Sequence, residues 1–118
     1  ARIRWTSYGV RVAVLETARQ SEDPEPEMIA TFAEDEDRRI RGAAISFMTK
    51  HGDDREEWFR MGLTDPETHV RVVTARHLDE LDPAVHKKLF ELALYDPNPK
   101  VVEVARKMTV GKGYAERW

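Results

Sequence analysis

The sequence predicts an all-α protein, a right-handed α–α solenoid of about three and a half helical-hairpin repeats. The first observation behind this prediction is an aliphatic residue that recurs at intervals of 30, 30 and 31 positions: Val10, Ile40, Val70 and Val101. The second is that small residues follow these anchors, and bulky residues precede three of them, at fixed helical offsets. Stacked helix pairs are the usual origin of a period of about thirty residues.

Each anchor begins an apolar stripe along one predicted helix. Residues at offsets 0, +3, +4 and +7 from the anchor share one helical face. The four stripes read Val10-Ala13-Val14-Thr17, Ile40-Ala43-Ala44-Phe47, Val70-Val73-Thr74-His77 and Val101-Val104-Ala105-Met108. Because small side chains dominate offsets +3 and +4, a second helix can approach this face closely.

The second helix of each pair is predicted from bulky residues upstream of Asp35, Asp65 and Asp96. These stripes read Met28-Ile29-Phe32-Ala33, Trp58-Phe59-Gly62-Leu63 and Leu89-Phe90-Ala93-Leu94. Bulky residues on one helix then face small residues on the next, as packed helix pairs require. The stripes predict helices near residues 6–20, 24–34, 37–50, 54–64, 67–80, 83–95 and 99–110.

The chain is predicted to be a single domain over residues 1–118, because its length suits one domain and no segment has the composition of a flexible linker. Its units would be a partial repeat at 1–20, repeats at 24–50, 54–80 and 83–110, and a tail at 111–118. Asp-Pro at 65–66 and 96–97 predicts a tight turn inside two repeats, since Asp caps helices and Pro is tolerated in a first turn.

Composition excludes several classes of function. The 118 residues carry a net charge of −3 and no Cys. The missing thiols exclude disulfides, thiolate catalysis and Cys-based zinc sites. A mildly acidic chain is not typical of a protein whose whole surface binds nucleic acid. The absence of Cys favours a reducing cytoplasm. We expect no signal peptide and no membrane contact, because the N-terminus does not read as a signal peptide and no apolar run approaches the roughly 18 residues of a transmembrane helix.

Two Asp residues stand six positions before Arg residues, in DEDRRIR and DPETHVR. With the segments IRGAA and VRVVTA, this pattern resembles the HEAT repeat, in particular the short bacterial HEAT-like type also found in phycobilisome lyases. The resemblance implies a hydrogen-bonded ladder between successive repeats with these members: Asp35, Arg41, Asp65, Arg71 and, in the first repeat, Arg11. Two departures, Trp5 in place of Asp and Val102 in place of Arg, fall in the first and last repeats, which are commonly atypical. The alternative for the Arg row is a strip that binds phosphate or carboxylate.

A second candidate site lies on the face opposite the anchors. Offsets +2 and +5 are apolar in the first three repeats and become polar in the fourth. Its candidate partner-binding residues are Val12, Leu15, Ile45, Val72, Ala75 and Arg106, together with Gly42. In HEAT-like solenoids this face is concave, so the resemblance implies a groove for a helix or extended peptide of another protein. The open alternative is that neighbouring helices, terminal residues or a second copy cover it.

The function expected from this surface is non-catalytic protein–protein interaction, as an adaptor, scaffold or regulatory module. The alternative is nucleic-acid binding or repair in the manner of AlkD-like DNA glycosylases, which use a basic concave surface. Basic residues cluster at 38–41, 87–88 and 106–107, but acidic residues interleave with them. A lyase or lyase-accessory role is a weaker alternative that follows from the phycobilisome resemblance. Oligomeric state stays open.

No catalytic or metal-binding pattern emerges, so we predict no catalytic residues, no metal and no cofactor. The four His residues form no i, i+4 ligand pair, and no Ser stands in a nucleophile-elbow pattern. His77 occupies a stripe offset and is expected in the core. The acidic segment SEDPEPE at 21–27 is either a patch for a basic partner or a solvated turn. The solvated turn is favoured because negative charge is stabilising at helix N-termini.

Overall fold

A computed structural model describes residues 7–109, and within them the chain is all-helical, with no β-strand. The α-helices are α1 (Tyr8–Gln20), α2 (Pro26–Thr31), α3 (Arg38–His51), α4 (Arg55–Leu63), α5 (Thr68–Ala75), α6 (Lys87–Leu94) and α7 (Pro99–Thr109). Short 3₁₀ turns follow α2 at Phe32–Glu34 and α5 at Leu78–Glu80. None of the helices in this range is both long and apolar enough to cross a membrane.

The prediction of an all-α chain is confirmed over these residues, but two predicted boundaries are wrong. The helix expected at 67–80 ends as an α-helix at Ala75, and the chain continues through turns to the 3₁₀ segment. The helix expected at 83–95 begins only at Lys87. After Ala75 the backbone changes to shorter-range bonds, such as His77 N–H to the Thr74 carbonyl at 3.0 Å. This tighter winding accompanies complete burial of Leu78.

Short polar side chains set where several helices begin. Ser7 accepts a hydrogen bond from Val10 N–H at the start of α1, and Asp37 accepts one from Arg39 N–H at the start of α3. Asp54 caps α4 in the same way. These caps satisfy N–H groups that the first helical turn leaves without a partner. The local chemistry of the sequence therefore accounts for these starts.

The helices contact one another in a regular order. Helices α1, α3, α5 and α7 contact in succession, and α3, α5 and α7 each also contact the helix that precedes them. Two apolar cores result. One contains residues of α1 to α3 together with Val70, and the other contains residues of α4 to α7. Phe32, Phe59 and Phe90 are almost completely buried in these cores.

The predicted stripe of the first helix is not buried. Ile40, Val70 and Val101 are at most 1% exposed, as expected for anchors, whereas Val10 is 48% exposed and Val14 is 36% exposed. The reason is that α2, α4 and α6 cover the equivalent stripes of α3, α5 and α7, and no described helix precedes α1. The buried residues of α1 are instead Arg11 and Leu15.

For the predicted concave face, the structure favours the alternative that neighbouring helices cover most of its residues. Leu15, Ile45 and Ala75 are at most 1% exposed, and Val12 and Val72 are half-buried against the cores. The face is covered because successive odd-numbered helices lie side by side. At Gly42 of α3, for example, an added Cβ would lie 3.5 Å from the His69 ring of α5. Arg106 is exposed.

Candidate functional site

The five residues of the predicted ladder lie in contacts between helix pairs. Arg41 contacts Asp65 through Nε–Oδ2 at 2.8 Å and Nη2–Oδ1 at 2.9 Å. Arg11 contacts Asp35 in the same orientation, with Nε–Oδ2 at 2.8 Å. A third pair, which the sequence analysis did not include, joins Arg71 to Asp96 with Nε–Oδ2 at 2.8 Å. Each Arg therefore contacts an Asp 24 or 25 positions later in the chain.

The spacing of six residues that carried the resemblance has a different structural meaning. Arg41 Nη1 donates to the Asp35 backbone carbonyl at 3.0 Å, and Arg71 Nη1 donates to the Asp65 carbonyl at 2.9 Å. The side chains of Asp35 and Asp65 meanwhile accept the N–H groups two residues ahead. Each of these Arg side chains thus binds a backbone carbonyl in the turn before its own helix and the Asp carboxylate in the turn before the next odd-numbered helix. The side chains of Asp35 and Asp65 also accept a backbone hydrogen bond within their own turns.

The Arg side chains are therefore not a free strip for anions. Arg11 is buried and Arg41 and Arg71 are nearly so, each against a buried carboxylate. Hydrogen bonding to Asp65 raises the pKa of Arg41 above its usual value, against the opposing effect of burial. A guanidinium already engaged by a carboxylate in two contacts has few donors left for an external phosphate.

A chain of polar contacts that the sequence did not predict joins α3 to the end of α5. Ser46 Oγ lies 2.6 Å from His77 Nε2, and His77 Nδ1 lies 2.7 Å from Glu80 Oε2. Arg55 extends the chain, with Nη2 3.4 Å from Glu80 Oε1 and Nε donating to the Thr49 carbonyl at 2.6 Å. If neutral His77 donates from Nδ1 to the carboxylate, its Nε2 accepts the Ser46 hydroxyl proton.

This connectivity matches that of a Ser–His–acid triad, but the surroundings of Ser46 do not suit acyl transfer. Such a mechanism needs N–H donors aimed at the developing oxyanion. Ser46 lies in the interior of α3, where its own N–H and that of Phe47 are committed to carbonyls one turn earlier. The three residues are better described as a polar tie between α3 and the segment after α5. His77, which was expected in the core, is only partly buried.

An exposed, mostly apolar groove lies between α1 and α2, and we call it the α1–α2 groove. Its volume is 500 Å³. Its lining residues are Ala13, Val14, Thr17, Ala18, Ser21, Asp23, Pro24, Glu25 and Met28. Met28 is 44% exposed, and Val10 continues the apolar surface one turn before Val14. The groove therefore includes the predicted stripe of α1 that no described helix covers.

The opposite end of the described chain, at α7, carries charged side chains beside a cleft of 680 Å³ that Val102 helps to line. The outward offsets of α7 hold Glu103 and Arg106, which are both exposed, and Glu103 lies 3.4 Å from Lys107. Arg106 consequently lies at the far end from the α1–α2 groove, and the two do not form one site. A polar outer face needs no partner, whereas exposed apolar surface is stabilised by being covered.

Acidic side chains lie at the end of the α1–α2 groove that is near the C-terminus of α1. Asp23 and Glu25 line it, and the exposed Glu22 and Glu27 lie beside them in the sequence. No basic residue occurs between Gln20 and Arg38. None of these four carboxylates forms an ion pair with a residue in the range 7–109. The groove is thus an apolar surface with acidic residues at one end.

Comparison of the chain with protein-family models, with curated proteins and with solved structures finds no match. Among the described residues no group of three or more His, Asp or Glu side chains is arranged to hold a metal ion. Trp5 and the tail at 111–118 lie outside the described residues.

Proposed function

We propose that the chain is a HEAT-like helical-repeat module, a right-handed α–α solenoid, whose function is non-catalytic binding of another protein in the cytoplasm. The observation that carries the proposal is the exposed apolar surface of the α1–α2 groove, which Val14 and Met28 line and which Val10 continues one helical turn before Val14. We propose this groove as the binding surface instead of the predicted concave face, because most residues of that face are buried.

The two ends of the molecule support this choice of surface. The outward offsets of α7 hold the exposed charged residues Glu103 and Arg106, as suits a face in contact with water. The end formed by α1 keeps the apolar stripe of an internal helix. A partner that covered this stripe would remove apolar area from water, which stabilises a complex by roughly 25 cal/mol per Å² before the costs of association.

The basic side chains give less support to nucleic-acid binding, the main alternative. Four that could contact phosphates lie within 4 Å of a carboxylate: Arg38, Arg39, Lys87 and Lys107. Nucleic-acid retention that falls steeply with added salt would favour the alternative over our proposal. The weaker lyase role predicts a change in tetrapyrrole absorbance when the chain is added.

The proposal is tested with the full chain and two single variants. Val14→Asp places a carboxylate in the α1–α2 groove, and the control Val85→Asp places one at a residue that is 71% exposed elsewhere. Proteins retained from a lysate are identified by tandem mass spectrometry, and binding is then measured by calorimetry with the purified partner. We expect a partner that binds the parent chain and the control but not Val14→Asp, with all three chains equally helical by circular dichroism. If every purified candidate binds Val14→Asp as well as the parent, the groove is not the interaction surface.

A further inference from the structure

We infer that the α1–α2 groove receives one amphipathic α-helix of the partner, with bulky apolar side chains on one face and basic residues near its N-terminus. This inference rests on the proposed protein-binding function and specifies the partner. It follows from how α2, α4 and α6 cover the apolar stripes of α3, α5 and α7.

Three helix pairs inside the chain define what this kind of stripe packs against. Helix α2 and its 3₁₀ turn contact α3, α4 contacts α5, and α6 contacts α7. Helices α4 and α5 approach closely, since a Cβ added at Gly62 would lie 2.0 Å from Thr74 Oγ1. In each pair the stripe of the second helix is covered by a helix, not by a loop or an extended segment.

Helix α1 has a stripe of the same kind that no described helix covers. Val10 and Val14 occupy the two offsets that are buried in α3, α5 and α7, and both are exposed, as are Ala13 and Thr17. The second wall of the groove is α2. A helix in the groove would contact α1 and α2 together, just as α4 contacts both α5 and α6. The site therefore has the shape of a helix that the described chain does not supply.

The covering helices also indicate which side chains the partner presents. Two bulky residues of each are deeply buried: Ile29 and Phe32 in the segment over α3, Phe59 and Leu63 in α4, and Leu89 and Phe90 in α6. The small residues Ala13 and Thr17 of α1 leave room for side chains of this size. An extended peptide would not place consecutive apolar residues on one face.

Charge fixes the orientation of the docked helix. The covering helices run antiparallel to the helices they cover, since only a short turn joins each pair. A helix docked in this way places its N-terminus near the C-terminus of α1, where Asp23 and Glu25 line the groove. Basic residues at that end would face these carboxylates and favour association. Helix α6 has this character, because Lys87 and Lys88 precede Leu89 and Phe90.

The probe for this inference is therefore a fluorescein-labelled peptide with the sequence of residues 83–95, PAVHKKLFELALY. It is titrated with the full chain, and binding is followed by fluorescence anisotropy. The control peptide carries Leu89→Ser and Phe90→Ser. We expect saturable binding that weakens about tenfold or more in the Val14→Asp chain, because a buried carboxylate opposes apolar contact. We expect no change in the Val85→Asp chain and none of this binding for the control peptide.

Two further measurements test whether the acidic residues contribute to peptide binding and whether a second copy of the chain occupies the groove instead. A chain with Asp23→Lys and Glu25→Lys should bind the peptide several-fold more weakly, and the difference should shrink at high salt. Equal binding of the peptide to the parent and Val14→Asp chains would overturn the inference. So would a dimer of the parent chain that Val14→Asp dissociates, since a second copy would then occupy the groove.

The failures of the inference and of the proposed function differ. If a purified partner binds in a Val14-dependent manner but the helical peptide does not bind, the helix is the wrong class of ligand and the protein-binding function stands. If neither the purified candidates nor the peptide distinguishes Val14→Asp from the parent, both are overturned.

Discussion

Arg41 and Asp65 are 24 positions apart in the chain and meet through two N–O contacts of 2.8 and 2.9 Å. The same guanidinium donates to the Asp35 carbonyl, so one side chain joins the turn before α3 to the turn before α5. Both side chains are largely buried. In this setting each charge depends on the other, because a buried ion without its partner is costly.

We predict that Arg41→Ala lowers the free energy of unfolding by about 3 kcal/mol, because Asp65 is left as a buried carboxylate without its main partner. Chemical denaturation followed by circular dichroism measures this change. The matched control is Arg38→Ala, which removes an exposed guanidinium 3.6 Å from Glu67 and should change stability by no more than about 0.5 kcal/mol. Equal effects of the two substitutions would show that the Arg41 contact contributes nothing specific.

Ile45, expected on an open face, is buried, and Val10, expected in the core, is half exposed. We predict that Ile45→Ala costs about 2–5 kcal/mol, since a buried Ile leaves a cavity when it is truncated. We expect Val10→Ala to cost less than about 1 kcal/mol, because that side chain is half exposed. Thermal and denaturant unfolding of both variants tests the pair. A smaller loss for Ile45→Ala than for Val10→Ala would mean that the helices pack in the other register.

Close contact between α4 and α5 makes Gly62 a sensitive position. We predict that Gly62→Ala destabilises the chain by about 1–3 kcal/mol, because the new methyl group overlaps Thr74 Oγ1 and Cγ2. Adding Thr74→Ala should recover part of this loss, since it removes both atoms. The control is Gly9→Ala in α1, where no atom lies within 4 Å and greater helix propensity should stabilise by up to about 1 kcal/mol. Destabilisation by Gly9→Ala would argue against the described position of α1.

The polar tie of Ser46, His77 and Glu80 predicts an energetic coupling rather than a catalytic activity. In a double-mutant cycle of Ser46→Ala and Glu80→Gln, we expect a coupling of about 0.5–2 kcal/mol in stability, since both groups bind the same imidazole. Labelling of Ser46 by a fluorophosphonate, detected by mass spectrometry, would contradict this interpretation. The control is Ser21, an exposed serine that should be equally unreactive.

The sequence also contained a sign of the third Arg–Asp pair. The segment DPNP at 96–99 echoes DPET at 65–68, and Asp96 occupies the position of Asp65. The spacing of six residues from Asp to Arg does not reveal this pair, because Val102 stands where Arg would follow Asp96. The spacing of six residues corresponds to the contact of an Arg with a backbone carbonyl, whereas the guanidinium that binds the Asp96 carboxylate comes from Arg71, 25 positions earlier. No sequence pattern pointed to the contact between Ser46 and His77, which are 31 residues apart.

The sequence by itself determined the helices, their approximate limits and the face that α3, α5 and α7 turn toward the preceding helix. This information is local, because the period of 3.6 residues and the capping residues act within a few turns of chain. Only the tertiary structure decided which apolar faces are covered. Leu15 and Ile45 are buried and Val10 is not because burial depends on which helix lies alongside, and that neighbour is set by contacts between distant segments.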